Sequence, residues 1–209
     1  MELIFENVSK TFKGEQVLSD INLKMTSGNI YGFTGKNGSG KTMLFRTAAG
    51  ILRPNTGNVL WNNQPVYGRK GKLPDVGIII ENVGVYPEFS AFQNLKMLAN
   101  IKKKIGKEEI QQALKRVGLN PEDKRGVKKY SLGMRQRVVI AQAIMEKPDL
   151  LILDEPSNAL DEESIGMLHE IMKEEKKRGA LVMVASHSRE DIEGICDFEY
   201  NIKKGRLVE

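Results

Sequence analysis

The sequence predicts an α/β fold in which a P-loop core carries an antiparallel β subdomain and an inserted α-helical subdomain. Short apolar patterns typical of strands run through residues 3–66. A lysine-rich stretch with helical spacing follows at 91–118, and Pro87 and Pro121 bracket it. Beyond residue 132 helices and strands alternate, which is typical of a parallel sheet with crossover helices.

The composition is that of an ordinary globular chain, with 40% hydrophobic and 28% charged residues among 209. The formal net charge of +5 suits nucleotide phosphates, nucleic acid or an anionic membrane surface, or reflects only a solvated lysine-rich surface. A single cysteine, Cys196, cannot form an internal disulfide. No apolar run approaches the ~20 residues of a membrane-spanning helix. We therefore expect a soluble chain whose membrane role, if any, is exerted through a partner.

The individual elements follow from local apolar patterns and from the turn residues that end them. In the first half, strands are predicted at residues 3–8, 18–25, 30–34, 58–66 (as part of a hairpin) and 76–80. In the second half we predict a helix at 132–146, a strand at 150–153, a helix at 162–177 and a strand at 180–186. The predicted single domain then divides into a core with its β subdomain, at about 1–86 and 147–209, and a helical subdomain at about 87–146.

A phosphate-binding loop follows the strand at 30–34. The pattern G-x-x-x-x-G-K-[ST] is fitted by Gly35, Lys36, Asn37, Gly38, Ser39, Gly40, Lys41 and Thr42, with Met43 next in a predicted helix. Glycines let successive N–H groups turn towards phosphates, and the helix adds the positive end of its dipole. Lys41 would supply charge to the β- and γ-phosphates, and Thr42 a ligand for Mg²⁺. The loop predicts a nucleoside triphosphate as ligand.

Two carboxylates and a histidine stand at the ends of the later strands. Asp154 and Glu155 end the strand at 150–153, where Asp154 would assist the metal and Glu155 would act as general base on the attacking water. His187 follows the strand at 180–186 in the same sheet direction. We therefore predict that its imidazole reaches the γ-phosphate edge of the site.

Together these motifs resemble the ABC ATPases. The decisive segment runs Tyr-Ser-Leu-Gly-Met-Arg-Gln-Arg at residues 130–137 and is similar to the signature sequence of that family, usually LSGGQ. The segment SNALD at 157–161 adds to the likeness, which extends from residue 3 to residue 205. The signature separates this family from other P-loop ATPases.

The resemblance implies a mechanism in which two subunits hold ATP between them. Phe12 would stack on adenine, although the family more often has tyrosine there. Glu155 would be the catalytic base and His187 the γ-phosphate sensor. Ser131 and Gly133 would contact the γ-phosphate bound to the opposing subunit. ATP and Mg²⁺ are the implied ligands.

The sequence departs from the family pattern at two places. Leu132 replaces the first glycine of the signature, and Met134 replaces its final glutamine. Glu81 stands where the family normally places a glutamine that contacts Mg²⁺ and the attacking water. Our hypothesis is that Glu81 still senses the metal and links the site to the helical subdomain. The alternative is an acidic residue on a solvent-facing loop.

With Glu81, the Tyr-Ser-Leu-Gly-Met signature and a short tail, the chain resembles the bacitracin/lantibiotic-resistance type of bacterial exporter ATPase. This resemblance implies an ATPase that pairs with a second ATPase subunit on ATP binding, and we expect a homodimer, although the sequence leaves open whether the two subunits are identical. The pair would act beneath a separate integral membrane permease, as a cytoplasmic protein that is peripheral at the cytoplasmic face of the cell membrane. No nucleic acid partner is expected. Tyr86, Pro87 and Phe89 would offer apolar surface to that permease. Two alternatives remain: a soluble ABC ATPase with another role, such as iron–sulfur assembly, and a nucleotide-binding regulator without hydrolysis.

Overall fold

A four-stranded antiparallel sheet forms the β subdomain. The computed structural model describes residues 1–69, 71–80, 84–188 and 192–208. The strand order in this sheet is β2-β1-β4-β5, with β1 at Glu2–Phe12, β2 at Glu15–Thr26, β4 at Thr56–Trp61 and β5 at Gln64–Pro65. A tight turn joins the first two strands, because Phe12 pairs directly with Glu15. The turn brings Phe12 to the tip of a long hairpin.

The second sheet is the six-stranded core sheet, in the order β10-β9-β3-β8-β7-β6. Its strands are β3 Asn29–Thr34, β6 Val76–Ile79, β7 Leu150–Asp154, β8 Leu181–Ser186, β9 Phe198–Lys203 and β10 Arg206–Val208. All pairs are parallel except that of β10 with β9. The carboxyl ends of β3, β7 and β8 therefore meet at one edge, where ligands bind in open sheets of this kind.

Five α-helices are found in the described residues: α1 Lys41–Ala48, α2 Ala91–Lys102, α3 Lys107–Arg116, α4 Leu132–Ile144 and α5 Glu162–Lys177. The stretch at 91–118, predicted as helical, consists of two helices. Ser90 and Gln93 form a capping box that starts α2, and Lys103 ends it in the left-handed conformation at φ 55°. The chain then reverses into α3.

Apolar side chains fill both faces of the core sheet. In β7, Leu151 and Leu153 belong to a cluster with α2, α3, α4 and α5, whereas Leu150 and Ile152 pack with α1 and the β subdomain. Burial on both faces explains why this strand reads as a continuous apolar run. The α/β fold with an antiparallel β subdomain is confirmed, whereas β9 and β10 were not predicted.

An ion-pair cluster joins α3 to α5. Glu175 is only 2% exposed and lies 2.8 Å from both Arg116 and Arg178. Arg116 also pairs with Glu174 at 2.7 Å. A buried carboxylate needs such partners. Arg178 belongs to the end of α5 itself, so Arg116 is the residue that fixes α3 of the predicted helical subdomain against the core helix α5.

Candidate functional site

The phosphate-binding loop connects β3 to α1. Gly40 precedes the helix at φ 113°, and a Cβ atom placed there would lie 2.8 Å from the Val17 carbonyl oxygen. Only glycine combines that conformation with so close an approach. Because α1 begins at Lys41, its first N–H groups are directed into the loop, where they are available to an anion.

Lys41 is held in a buried position between the loop and the end of β7. Its side chain is 6% exposed, and its Nζ donates to the Gly35 carbonyl oxygen at 2.6 Å. The same Nζ lies 3.7 Å from Glu155 Oε1. A buried ammonium group needs such partners because it has lost its water. The Gly35 carbonyl oxygen and the Glu155 carboxylate together hold the Lys41 ammonium at the edge where the parallel strands end.

Thr42 and Asp154 form the pair predicted to hold the metal. Thr42 Oγ1 donates to Asp154 Oδ2 at 2.5 Å, and the aspartate is buried at the end of β7. A hydroxyl and a carboxylate are hard oxygen donors of the kind that Mg²⁺ accepts, so the pair fits this ion. Glu81, the third predicted metal residue, lies outside the described residues, and its role stays a prediction.

Glu155 lies between two basic groups. His187 Nδ1 is 2.6 Å from Glu155 Oε2, while Lys41 lies on the Oε1 side. The backbone of Glu155 has φ 51°, a left-handed conformation that costs a non-glycine residue about 1–2 kcal/mol. The geometry brings the predicted base and the predicted sensor together.

Two buried oxygens indicate that this site accepts a polar ligand. Ser39 Oγ and Glu155 Oε1 are buried and make no hydrogen bond to any described residue. Buried polar atoms are nearly always hydrogen-bonded in native proteins. A bound phosphate and its attacking water are the partners that such a loop and carboxylate would take.

A cleft of about 630 Å³ contains most of the predicted site residues. It is lined by Phe12, Lys13, Glu15, Val17, Asn37, Gly38, Ser39, Gly40, Lys41, Thr42, Met43, Asp154 and Glu155. Lys13 Nζ lies 5.8 Å from the centre of the Phe12 ring, so the hairpin tip offers both an aromatic face and a cation. Lys13, Glu15 and Val17 were not predicted to belong to the site, and the sequence signal for them is the turn glycine Gly14.

Two predicted residues lie on the far side of the phosphate-binding loop. Gly35 and Lys36 line a neighbouring cavity of about 540 Å³, together with Asn201 and Lys203 from β9. Gly35 still takes part in the site, because its carbonyl oxygen accepts the Lys41 hydrogen bond. The Lys36 side chain is not among those that line the main cleft.

The signature segment starts α4. Ser131 is the helix cap, and its Oγ accepts from the Met134 N–H at 3.1 Å. Leu132 is 69% exposed. A Cβ atom on Gly133 would lie 3.0 Å from the Ala159 carbonyl oxygen. Neither Ser131 nor Gly133 lines the cleft of its own chain, so their predicted contact with phosphate requires a second subunit.

Charges on both sides of the signature are held by local hydrogen bonds. Asp161 caps α5, and hydrogen bonds from the side chain and backbone of Ser164 hold the pKa of its carboxyl below the usual value. Arg125 lowers the pKa of Asp123 to about 2, mainly through side-chain and backbone hydrogen bonds. Asp123 also accepts from the Tyr130 hydroxyl at 3.2 Å. Both acids therefore stay ionised near neutral pH.

The fold and the site define a P-loop ATPase. Residues 18–158 match the model of a protein family described as ABC transporter. The ABC transporter ATP-binding protein YybJ of Bacillus subtilis is 44% identical over 201 residues, which cover 96% of this chain and 92% of YybJ. The chain belongs to the ABC transporter family.

Two further relatives carry names that mention transport. The lantibiotic transport ATP-binding protein SrtF of Streptococcus pyogenes is 33% identical over 99% of this chain and 89% of its own length. The bacitracin transport ATP-binding protein BcrA of Enterococcus faecalis is 36% identical over 98% of this chain and 67% of its own length. The predicted resemblance to this group is confirmed, and the chain is an ATP-binding subunit and ATPase of the ABC type.

Solved structures show the same fold. The dimeric structure of MJ0796, a bacterial ABC transporter cassette, has a TM-score of 0.88 at 22% identity and covers 99% of this chain and 97% of its own. CbiO1 of Clostridium perfringens, part of the ABC transporter complex cbiONQ, has a TM-score of 0.85 at 29% identity and covers 99% and 86%. Because the identity to MJ0796 is 22%, the likeness to that structure shows the fold alone.

Proposed function

We propose that this chain hydrolyses ATP in order to drive a separate membrane permease that exports an antimicrobial peptide or a drug. The observation that carries the proposal is that Lys41, the Thr42–Asp154 pair and Glu155 line one cleft, with His187 in contact with the Glu155 carboxylate. A binding protein without hydrolysis would not need a carboxylate held beside a histidine at the phosphate end.

The residues divide the chemistry among them. Lys41 stabilises negative charge on the β- and γ-phosphates. Glu155 accepts a proton from water as the water oxygen bonds to the γ-phosphorus and the bond to ADP breaks, and His187 holds this carboxylate in place. Mg²⁺, held by Thr42 and Asp154, would neutralise further phosphate charge. The products are ADP and inorganic phosphate.

We propose that the working form is a homodimer with ATP between the subunits. Ser131 and Gly133 lie outside the cleft of their own chain, and an exposed helix N-terminus is suited to bind an anion from another subunit. MJ0796, whose fold this chain shares, is dimeric. Phe12 would cover the adenine in each cleft, and Glu81 would report on the metal.

A membrane partner is part of the proposal. Among the described residues no helix is long and apolar enough to cross a membrane. Next to α2, Tyr86 and Phe89 are 57% and 39% exposed, with ring centres 5.9 Å apart. This pair lies at the boundary between the predicted core, at about 1–86, and the predicted helical subdomain, at about 87–146, and it offers an apolar contact to a permease. The ATPase would then work at the cytoplasmic face of the membrane. The names of SrtF and BcrA favour a peptide antibiotic as cargo.

Replacing Tyr86 and Phe89 together with alanine is expected to release the permease and to leave ATP binding unchanged. The apolar contact is lost, whereas neither residue lines the ATP cleft. The measurement is affinity capture of the tagged chain from detergent-solubilised membranes, with identification of co-purified membrane proteins.

Phe198→Ala is the matched control, since Phe198 is another exposed aromatic and lies on the core sheet. A multi-span protein captured equally by the double variant would contradict the assignment of this surface. If only soluble proteins were captured by the unmodified chain, the role in iron–sulfur assembly or another soluble process would replace transport.

A further inference from the structure

The side chain of Gln136 joins α4 to the turn that follows the predicted catalytic base. Its Nε2 donates to the Pro156 carbonyl oxygen at 2.9 Å. A carbonyl oxygen can only accept, so the amide nitrogen and not the amide oxygen must face it. Gln136 is half-buried. The bond therefore links the helix that starts at the signature with the segment directly after Glu155.

Gln136 also lines a chamber that opens on the same residues as the ATP cleft. This chamber, of about 400 Å³, includes Thr42, Asp154 and Glu155 in its walls. The neighbouring Arg135 has a different role, because its guanidinium donates to the carbonyl oxygens of Val127 and Lys128. Both side chains line the chamber, but of the two it is Gln136 that donates a hydrogen bond to the turn directly after Glu155.

The turn after Glu155 needs support from its surroundings. With φ 51°, Glu155 has a backbone conformation that persists only where neighbouring contacts hold it. Its N–H donates to the Ala185 carbonyl oxygen at 3.0 Å, and its own carbonyl oxygen accepts from Asn158 at 3.3 Å. Gln136 holds the next peptide group from outside the turn. Without that bond, the turn has one restraint fewer against relaxation to an ordinary conformation.

We propose that Gln136 is a positioning residue for ATP hydrolysis, which holds the turn at Pro156 so that the Glu155 carboxylate stays between His187 and Lys41. A shift of α4 would reach the carboxylate through this bond, so the position of the signature helix and the position of the base are coupled. The proposal rests on the proposed role of Glu155 as the base.

Gln136→Met removes the donor and keeps the length of the side chain. We expect kcat to fall by about 10–100-fold, because small misplacements of a catalytic group have effects of this size. KM and the dissociation constant for ATP should stay within about twofold, because Gln136 does not touch the ATP cleft. The matched control is Gln142→Met, on the same helix but in a cleft beside β6. Its kcat should equal that of the unmodified chain.

A double variant distinguishes positioning from a general structural role. Glu155→Gln alone tests the base. The double variant, Glu155→Gln with Gln136→Met, should have a single-turnover rate of ATP hydrolysis within about twofold of that of Glu155→Gln alone. The second substitution should add little because the two residues act as a unit. Gln136→Glu, which also lacks the donor at neutral pH, serves as a second variant, and thermal unfolding confirms that each protein is folded.

Three results would overturn the proposal. One is a Gln136→Met protein with unchanged kcat. Another is a pattern that points to a structural defect. In that pattern either KM rises while kcat falls in Gln136→Met, or the reductions in rate caused by Gln136→Met and by Glu155→Gln multiply in the double variant. The third is a Glu155→Gln protein that hydrolyses ATP normally. That last result removes the proposed base itself, whereas the first two leave the base in place and remove only the role of Gln136.

Discussion

Replacing Glu155 with glutamine is expected to lower ATP hydrolysis by about 10²–10⁴-fold, the usual contribution of a positioned base, and to trap an ATP-bound dimer. Glutamine keeps the size of the side chain and a contact to His187, but it cannot take a proton from water. Lys41, Thr42 and Asp154 are unchanged, so ATP should bind as before. Binding without hydrolysis keeps both subunits closed on the nucleotide.

The measurement is size-exclusion chromatography with light scattering, with and without ATP and Mg²⁺, beside a phosphate-release assay. Glu170→Gln is the matched control. Glu170 is an exposed acid on α5 that pairs with Lys173 at 2.8 Å, far along the chain from the loop. This control should hydrolyse ATP like the unmodified chain and should show no ATP-trapped dimer.

A Glu155→Gln protein that binds ATP and remains a monomer would contradict the homodimer. The altered signature would then be the first place to look, because Leu132 is exposed where the family has glycine and Met134 stands where it has glutamine. Such a result would indicate that this signature closes on a different ATPase subunit.

The core of the site could be predicted because its chemistry is local in sequence. Gly40, Lys41 and Thr42 lie in one continuous motif. Asp154 ends a strand that is otherwise apolar on both faces, and Glu155 directly follows it. Parallel strands end at the same edge of a sheet, so His187 could be assigned to the same site. The contact of 2.6 Å with Glu155 follows from the β7–β8 pairing.

The parts that sequence reasoning missed depend on distant contacts. Lys13 and Val17 reach the cleft only because the β1–β2 hairpin lies beside the loop. β9 pairs with β3, more than 160 residues earlier in the chain. Lys103 and Glu155 adopt left-handed conformations without being glycine, and nothing in residue type marks such positions. Tertiary contacts select these conformations against the local preference.

Replacing Gly77 with alanine is expected to lower the free energy of unfolding by about 3 kcal/mol, at the upper end of the usual cost of overpacking. Gly77 lies in β6, where α4 packs directly on the strand. A Cβ atom there would lie 1.9 Å from the Ala143 carbonyl oxygen and 2.7 Å from Pro148 Cγ. The Ala143 oxygen is a main-chain atom near the end of α4 and cannot rotate away as a side chain could, so the helix and the strand must separate.

Gly166→Ala is the control with the opposite sign. Gly166 lies exposed inside α5, and a Cβ atom there meets no atom within 4 Å. Alanine should therefore raise the free energy of unfolding by about 0.5–1 kcal/mol, because glycine loses more chain entropy in a helix. Urea unfolding of both variants measures the two effects. A Gly77→Ala protein as stable as the unmodified chain would mean that α4 can move away from β6 at little cost. The carboxyl end of the signature helix would then not be fixed to the core sheet.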